Sequence, residues 1–347
     1  MDDIKVGSVV IGRNNKPFII AEMSGNHNQS IERALTIVDE AANAGAHAIK
    51  LQTYTADTIT VKGAYTINDE NSLWKGKELH DLYKLAYTPW EWHKKIFEHA
   101  KKRNIIAFSS PFDTTAVDFL ESLNVPLYKI ASFENTDHIL LKKIAKTGKP
   151  VIMSTGVSSI ADIDESVRIL KENGCKDLVL LKCTSTYPAT PENTNLNALP
   201  LLLKMFDCNV GLSDHTIGVG ASVAAIALGA TVIEKHFTLD RAEGGVDSTF
   251  SLEPHELKNL VLETERAYLA LGTSFIGVQD VEKNSLKFKR SLYVVEDIKE
   301  GDIFTEVNLK SKRPSFGLHT RFYDLILGKK AKRSIKKGSQ LSWEVIA

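Results

Sequence analysis

Between residues 17 and 271 the chain alternates eight times between a short, largely apolar run and a longer stretch. The runs are PFIIAE (17–22), HAIKLQ (47–52), IIAFSS (105–110), PLYKIAS (126–132), PVIMST (150–155), DLVLLKCT (177–184), CNVGLS (208–213) and ATVIEKHF (230–237). They read as continuous apolar segments rather than alternating ones, which suits strands buried on both faces of a parallel sheet. Eight β-then-α units of this length predict a closed (β/α)8 TIM barrel. An open doubly wound sheet is the alternative. The loop after its first strand would then carry glycines for phosphate, whereas here it reads SGNHNQ.

Punctuation between the runs supports helices. A Ser cap and a Gly stop bracket residues 30–45, Gly148 closes 137–147, and Gly174 follows 159–173. Residues 114–123 and 253–271 read the same way. Residues 54–88 form a polar excursion, after which Thr88 and Pro89 are expected as the cap and first residue of the next helix. Ahead of the first strand, residues 4–11 suggest a small β-hairpin with Asn14 and Asn15 as turn residues. Past Gly272 the texture changes, so the expected division is a barrel at 1–272, a linker at 273–285 and a small domain at 286–347. That last piece offers short β-like segments (SLYVVE, GDIFT), turn glycines and little core of its own.

Charge and cysteine content narrow the function classes. Basic and acidic side chains number 43 each, so no nucleic-acid or membrane surface is expected. A long uncharged run, 217–233, is interrupted by Gly218, Gly220 and Gly229 and reads as a buried helix followed by a strand. Three cysteines without metal or redox spacing, and a start with no signal-peptide pattern, suggest a cytoplasmic protein.

Barrel active sites lie at the C-terminal ends of the strands, so the strand ends carry the functional reading. They are Glu22; Lys50 and Gln52; Ser109 and Ser110; Lys129 and Ser132; Ser154 and Thr155; Lys182, Ser185 and Tyr187; Ser213 and His215; Glu234 and His236. Lysines with small hydroxyls suit a phosphate dianion. Two imidazoles at adjacent strand ends could hold a divalent metal, and Glu22 is a candidate general base. Lys182 leaves a second route open, as the Schiff-base nucleophile of a metal-free class I-type aldolase. A ligand-binding protein without catalysis is the third reading.

Seven motifs resemble the sialic acid synthase family: AEMSGNHNQS, SSPFD, KIAS, STG, CTSTYP, GLSDHT and EKHFTLD, in that order. The C-terminal piece is similar to that family's antifreeze-like (SAF) domain, with Lys312, Arg313, Pro314 and Gly317 in place. The resemblance implies condensation of phosphoenolpyruvate with an acylated amino-hexose and water, giving a nonulosonic acid and phosphate. It also implies a divalent metal, Mn foremost with Mg or Co as alternatives, on His215 and His236. Phosphoenolpyruvate would meet Lys50, Ser110, Lys129, Ser132, Ser154, Ser185 and Ser213. Glu22 would handle protons and Glu234 support the metal end, while Gln52, Tyr187 and Asp247 touch the sugar. Arg313 would reach the sugar's acyl group from the other subunit of a domain-swapped homodimer.

Within the family, Ser185 stands where N-acetylneuraminate synthases have Asn, and EGGVDSTFSLEP replaces an EGPDH-like segment. These variants resemble the pseudaminic acid synthase branch, whose sugar is 2,4-diacetamido-2,4,6-trideoxy-L-altrose. N-acetylneuraminate or legionaminic acid synthesis from another acylated amino-hexose is the alternative. Phe250, Tyr187 or Met23 are expected as apolar partners for a sugar lacking its 6-hydroxyl.

Overall fold

A computed structural model describes residues 2–70 and 74–347. The chain divides into two compact units, Met1–Gly272 and Thr273–Ala347.

The first unit begins with a hairpin, β1 (Ile4–Val6) and β2 (Val9–Ile11), followed by the first barrel strand β3 (Phe18–Glu22). Then come α1 (Ile31–Asn43), β4 (Ala48–Thr53), α2 (Ala56–Ile59), α3 (Leu79–Ala86), α4 (Trp90–Lys102) and β5 (Ile106–Pro111). The middle of the barrel is α5 (Thr114–Ser122), β6 (Tyr128–Ile130), α6 (His138–Ala145), β7 (Val151–Ser154), α7 (Ile160–Glu172) and β8 (Leu178–Cys183). It closes through α8 (Ala198–Phe206), β9 (Asn209–Asp214), α9 (Gly220–Ala227), β10 (Val232–His236) and α10 (Pro254–Leu271). Every strand from β3 to β10 pairs in parallel with its sequence neighbour, and β10 returns to β3, so the barrel is closed.

Strand pleating divides the core into two layers, because successive side chains point to opposite faces. Outside, Ile19, Ile49, Tyr128, Met153, Leu180, Val210 and Ile233 pack against the helices. Inside, Phe18, Ile20, Ala48, Phe108, Ile152, Val179 and Val232 fill the lower barrel. Ile4, Val6 and Ile11 of the hairpin join this inner cluster and plug the end where the strands start. Burying each such side chain is worth roughly 1.5–3 kcal/mol.

Several local expectations need correcting. The hairpin turns at Gly7 and Ser8, between paired Val6 and Val9; Asn15 belongs to a later turn closed on the Gly12 carbonyl at 3.1 Å. Thr88 caps nothing: α4 starts after Pro89 without a side-chain cap, and the Thr88 hydroxyl meets His27 Nε2 at 3.1 Å. The polar excursion holds α2 and α3. Helix α8 was not expected because ALPLLLKMF is nearly all apolar and carries Pro200 in its first turn, where proline is tolerated.

In the second unit a 3-10 helix (Asp280–Phe288) occupies part of the expected linker and precedes the antiparallel pair β11 (Ser291–Val294) and β12 (Leu309–Lys312). Within GDIFT only an isolated bridge forms, Ile303 to Lys330. Contrary to expectation, this unit has its own core, with Leu292, Val294, Ile298, Phe304, Leu309, Ile326, Leu341 and Ile346 clustered and buried. The sequence hides it because these residues lie on bends and single bridges, without a period of 2 or 3.6. Among the described residues no helix is long and apolar enough to cross a membrane.

Candidate active site

Pleat parity decides which strand-end residues enter the barrel. Glu22 follows inward Phe18 and Ile20; Lys50 follows Ala48; Ser110 follows Phe108; Ser154 follows Ile152; Glu234 follows Val232. Lys182 has the parity of outward Leu178 and Leu180, so its amine lies on the helix side, bonded to the Cys183 carbonyl at 2.9 Å and Thr184 Oγ1 at 3.2 Å. The Schiff-base reading fails on that direction. Ser109 also faces outward, donating to or accepting from Thr53 Oγ1 at 2.6 Å, and Met23 is buried in the outer core.

The inward residues form one buried network. Lys50 Nζ lies 2.8 Å from Glu22 and 3.4 Å from Glu234, and Lys129 Nζ lies 3.7 Å from Glu234. Lys50 also reaches Ser110 Oγ at 3.4 Å, and Lys129 donates to Ser154 Oγ at 2.6 Å. Gln52 donates to Glu22 at 3.1 Å and Ser213 to Glu234 at 3.0 Å. Two ammoniums and two carboxylates thus balance in a site where an unpaired charge would be expensive.

The two carboxylates are pushed apart. Burial raises Glu22 above its ordinary range, more than Lys50 offsets, and Glu234 adds to the rise. Burial also acts on Glu234, but Lys129 and Lys50 together hold it below its ordinary value. Such a split marks one group for proton transfer and one as a fixed charge.

Beside this network lies a hydroxyl pocket. Gly156 N–H donates to Ser132 Oγ at 3.1 Å. A Cβ on Gly156 would collide with the Ser132 and Ser185 hydroxyls, so only glycine lets the STG turn bring them together. Cys183 Sγ contacts Ser185 Oγ at 3.7 Å and is itself inward and buried. Sequence reading missed this thiol, although its position two residues after inward Leu181 marks it. Burial alone would raise it, yet His215 beside it brings it down to about 6.

The two histidines meet at the mouth, their ring centroids 5.3 Å apart. His215 Nδ1 lies 3.0 Å from the Thr184 carbonyl, which can only accept, so Nδ1 carries a proton; burial would lower this imidazole, but Cys183 and the Thr184 carbonyl raise it above its ordinary value. His236 Nδ1 is buried with no hydrogen-bond partner among the described residues. Burial and then His215 hold His236 well below its usual range, so its imidazole is neutral. Among the described residues no cluster of three or more His, Cys, Asp or Glu forms a full metal site. Two imidazoles side by side, one with an orphaned nitrogen, nevertheless fit an open site that takes its other ligands from water or substrate. Tyr187 lies over His215 at 4.5 Å, and Phe250 packs on His236 at 5.0 Å.

Asp247 is buried, accepts a hydrogen bond from Ser24 Oγ, and is raised by burial. Arg313 lies in the second unit. It follows β12 and is exposed.

The clamp behind the histidines was also unforeseen. Lys235 and Asp214, each the residue before a histidine, face outward and pair across β9 and β10 at 2.9 Å.

Comparison with known proteins fits this geometry. The pseudaminic acid synthase of Campylobacter jejuni subsp. jejuni serotype O:2 is 47% identical over 94% of this chain and 95% of its own length. That of Helicobacter pylori is 41% identical, over 94% and 96%. The solved N-acetylneuraminic acid (sialic acid) synthetase of Leptospira borgpetersenii serovar Hardjo-bovis, in complex with citrate, superposes with a TM-score of 0.75 at 35% identity, covering 82% of this chain and 95% of that one. Residues 37–275 match the NeuB family and 289–347 the SAF domain; the chain belongs to the NeuB family and ends in a SAF domain.

Proposed function

We propose that the protein is a pseudaminic acid synthase, condensing phosphoenolpyruvate with 2,4-diacetamido-2,4,6-trideoxy-L-altrose and water to give pseudaminic acid and phosphate. The observation that carries this is the buried Glu22–Lys50–Glu234–Lys129 network with hydroxyls around it, at the mouth of a barrel whose relatives bear that name. Phosphoenolpyruvate brings a carboxylate and a phosphate. Lys50 and Lys129 supply the cations, and Ser110, Ser132, Ser154, Ser185 and Ser213 supply hydroxyls for the remaining oxygens.

The reaction forms a bond from the methylene carbon of phosphoenolpyruvate to the sugar carbonyl carbon. Water adds at C2 of phosphoenolpyruvate, and the tetrahedral intermediate loses phosphate by C–O cleavage. Glu22, set apart from Glu234 by its higher range, takes a proton from the attacking water and returns it to the former carbonyl oxygen. The remaining proton of the added hydroxyl leaves with phosphate, whose charge Lys50 and Lys129 stabilise. Asp247, oriented by Ser24, accepts from a sugar hydroxyl, and Gln52 and Tyr187 border the sugar. His215 and His236 would hold a divalent cation, Mn first with Mg or Co as alternatives, which when bound polarises the sugar carbonyl.

Arg313, exposed on the second unit, is assigned to the acyl group of a sugar bound by a partner subunit in a domain-swapped homodimer. Mixing Arg313→Ala with a Lys129→Met subunit should restore part of the activity each lacks; no recovery would sink the swap. We place the reaction in the cytoplasm, where three unpaired cysteines remain reduced.

Phosphate release with the altrose sugar and with N-acetylmannosamine, each in heavy-oxygen water, tests the whole reading. The altrose sugar should win, and the label should enter the keto acid. Preference for N-acetylmannosamine would reassign the substrate, and label in phosphate would refute the route.

A further inference from the structure

A cleft of about 500 Å³ opens beside the reaction centre, between the loop after β3, the chain ahead of α3 and the segment before α10. Three of its lining residues adjoin the site in sequence. Gly25 follows Ser24, the partner of Asp247; Val246 precedes Asp247; Thr249 precedes Phe250, whose ring rests on His236. Trp74 lines the cleft on the side of Tyr187. Its ring lies 6.2 Å from that of Tyr187, which in turn lies 4.5 Å from His215. The indole N–H donates to the Val246 carbonyl at 3.3 Å, which fixes the ring at the edge of the cleft nearest Tyr187.

Going outward from His215, the order is therefore Tyr187, Trp74, cleft. We infer that the cleft beyond Trp74 is the subsite for the sugar's second acylamino group, the one farther from the reacting carbonyl. This rests on the proposed function and adds to it the means by which the site distinguishes a diacylated sugar from a singly acylated one. An acetamido group has an apolar methyl and a polar amide. Trp74, Val246 and Leu85 offer the methyl a surface, Leu85 being 54% exposed. Thr249 and Lys77 offer the amide a hydrogen-bond partner at the rim. A hydroxyl in place of that group would leave the apolar wall in contact with water, and the gain from burying it would be lost.

The test fills the cleft without touching the reacting groups. Thr249→Trp and, independently, Leu85→Trp are compared with wild type, folding being checked by thermal melting; Leu85, the more tolerant position, decides if Thr249→Trp misfolds. KM is measured for the diacetamido sugar and for phosphoenolpyruvate, with the inhibition constant of an analogue bearing hydroxyl in place of the 4-acetamido group. The expected result is a tenfold or greater rise in KM for the diacetamido sugar. KM for phosphoenolpyruvate and the analogue's inhibition constant should stay within twofold. An unchanged sugar KM, or an equal loss for sugar and analogue, overturns the subsite alone. A wild type that does not turn over the diacetamido sugar overturns the functional reading and the subsite with it.

Discussion

Replacing Lys235 by Met isolates the contribution of the clamp behind the histidines. Both side chains of the Lys235–Asp214 pair are 0% exposed, and the ammonium sits 2.9 Å from the carboxylate. Asp214 also accepts from Thr216 N at 2.9 Å, Thr216 Oγ1 at 2.7 Å and Ser222 Oγ at 2.7 Å. Lys235→Met leaves those three donors but strands the charge, a change that costs about 3–5 kcal/mol when one partner of a buried pair is removed. The hydrogen bonds that remain place the expectation near 3 kcal/mol, at the lower end of that range.

The pH dependence gives this prediction its sign. In the wild type, burial would raise Asp214, but Lys235 and the hydroxyls hold it below its ordinary value. Its contribution is present above the unfolded value and is lost as pH falls through the folded one. Without Lys235 the burial effect is unopposed by a cation, the folded value rises, and the destabilisation grows as pH rises. Urea unfolding followed by circular dichroism at 222 nm reports the unit that holds α1–α10. Lys235→Met should cost more at pH 8 than at pH 5, and Asp214→Asn with Lys235→Met should recover most of the loss. A cost under about 1 kcal/mol at pH 8, or a double variant worse than the single, would refute the account.

Other consequences follow from named groups. Burial pushes Glu134, beside the active-site lysines, up to about 7. Its folded value exceeds the unfolded one, so its destabilising effect is absent below the unfolded value and grows as pH rises toward about 7. Glu134→Gln should therefore stabilise the protein by about 2 kcal/mol at pH 8 and little at pH 4, read by urea unfolding; equal effects at both would contradict it. In metal-free protein Cys183, brought down to about 6, should be the thiol that iodoacetamide modifies at pH 7.5. Cys175 and Cys208, which burial raises to about 12 and about 11, should resist. Phosphoenolpyruvate should protect Cys183; peptide mass spectrometry showing Cys175 or Cys208 modified first would count against the site as described.

The barrel was legible because strands buried on both faces leave contiguous apolar runs, and polar strand ends pointed to one mouth. What stayed hidden was direction at the level of single residues. Lys182 and Cys183 are adjacent, and only the pleat, known once Leu181 is placed inside, tells which of them enters. Helix α8 was obscured because an apolar stretch without a polar stripe carries no period. Trp74 could not be tied to Tyr187, since the two rings that meet in the fold are separated by 112 residues of chain. The core of the second unit was missed because its apolar residues are scattered through turns.

The hairpin plugs the barrel floor, so reactants enter the chamber from the C-terminal ends of the strands. A reactant seated at Lys50 and Lys129 lies deeper than one reaching from the histidines toward Trp74, so the anion has to be loaded before the sugar shuts it in. Turnover is then sequential and ordered, phosphoenolpyruvate first. Initial-rate and dead-end inhibition patterns showing random loading would mean the passage is wider than these walls imply.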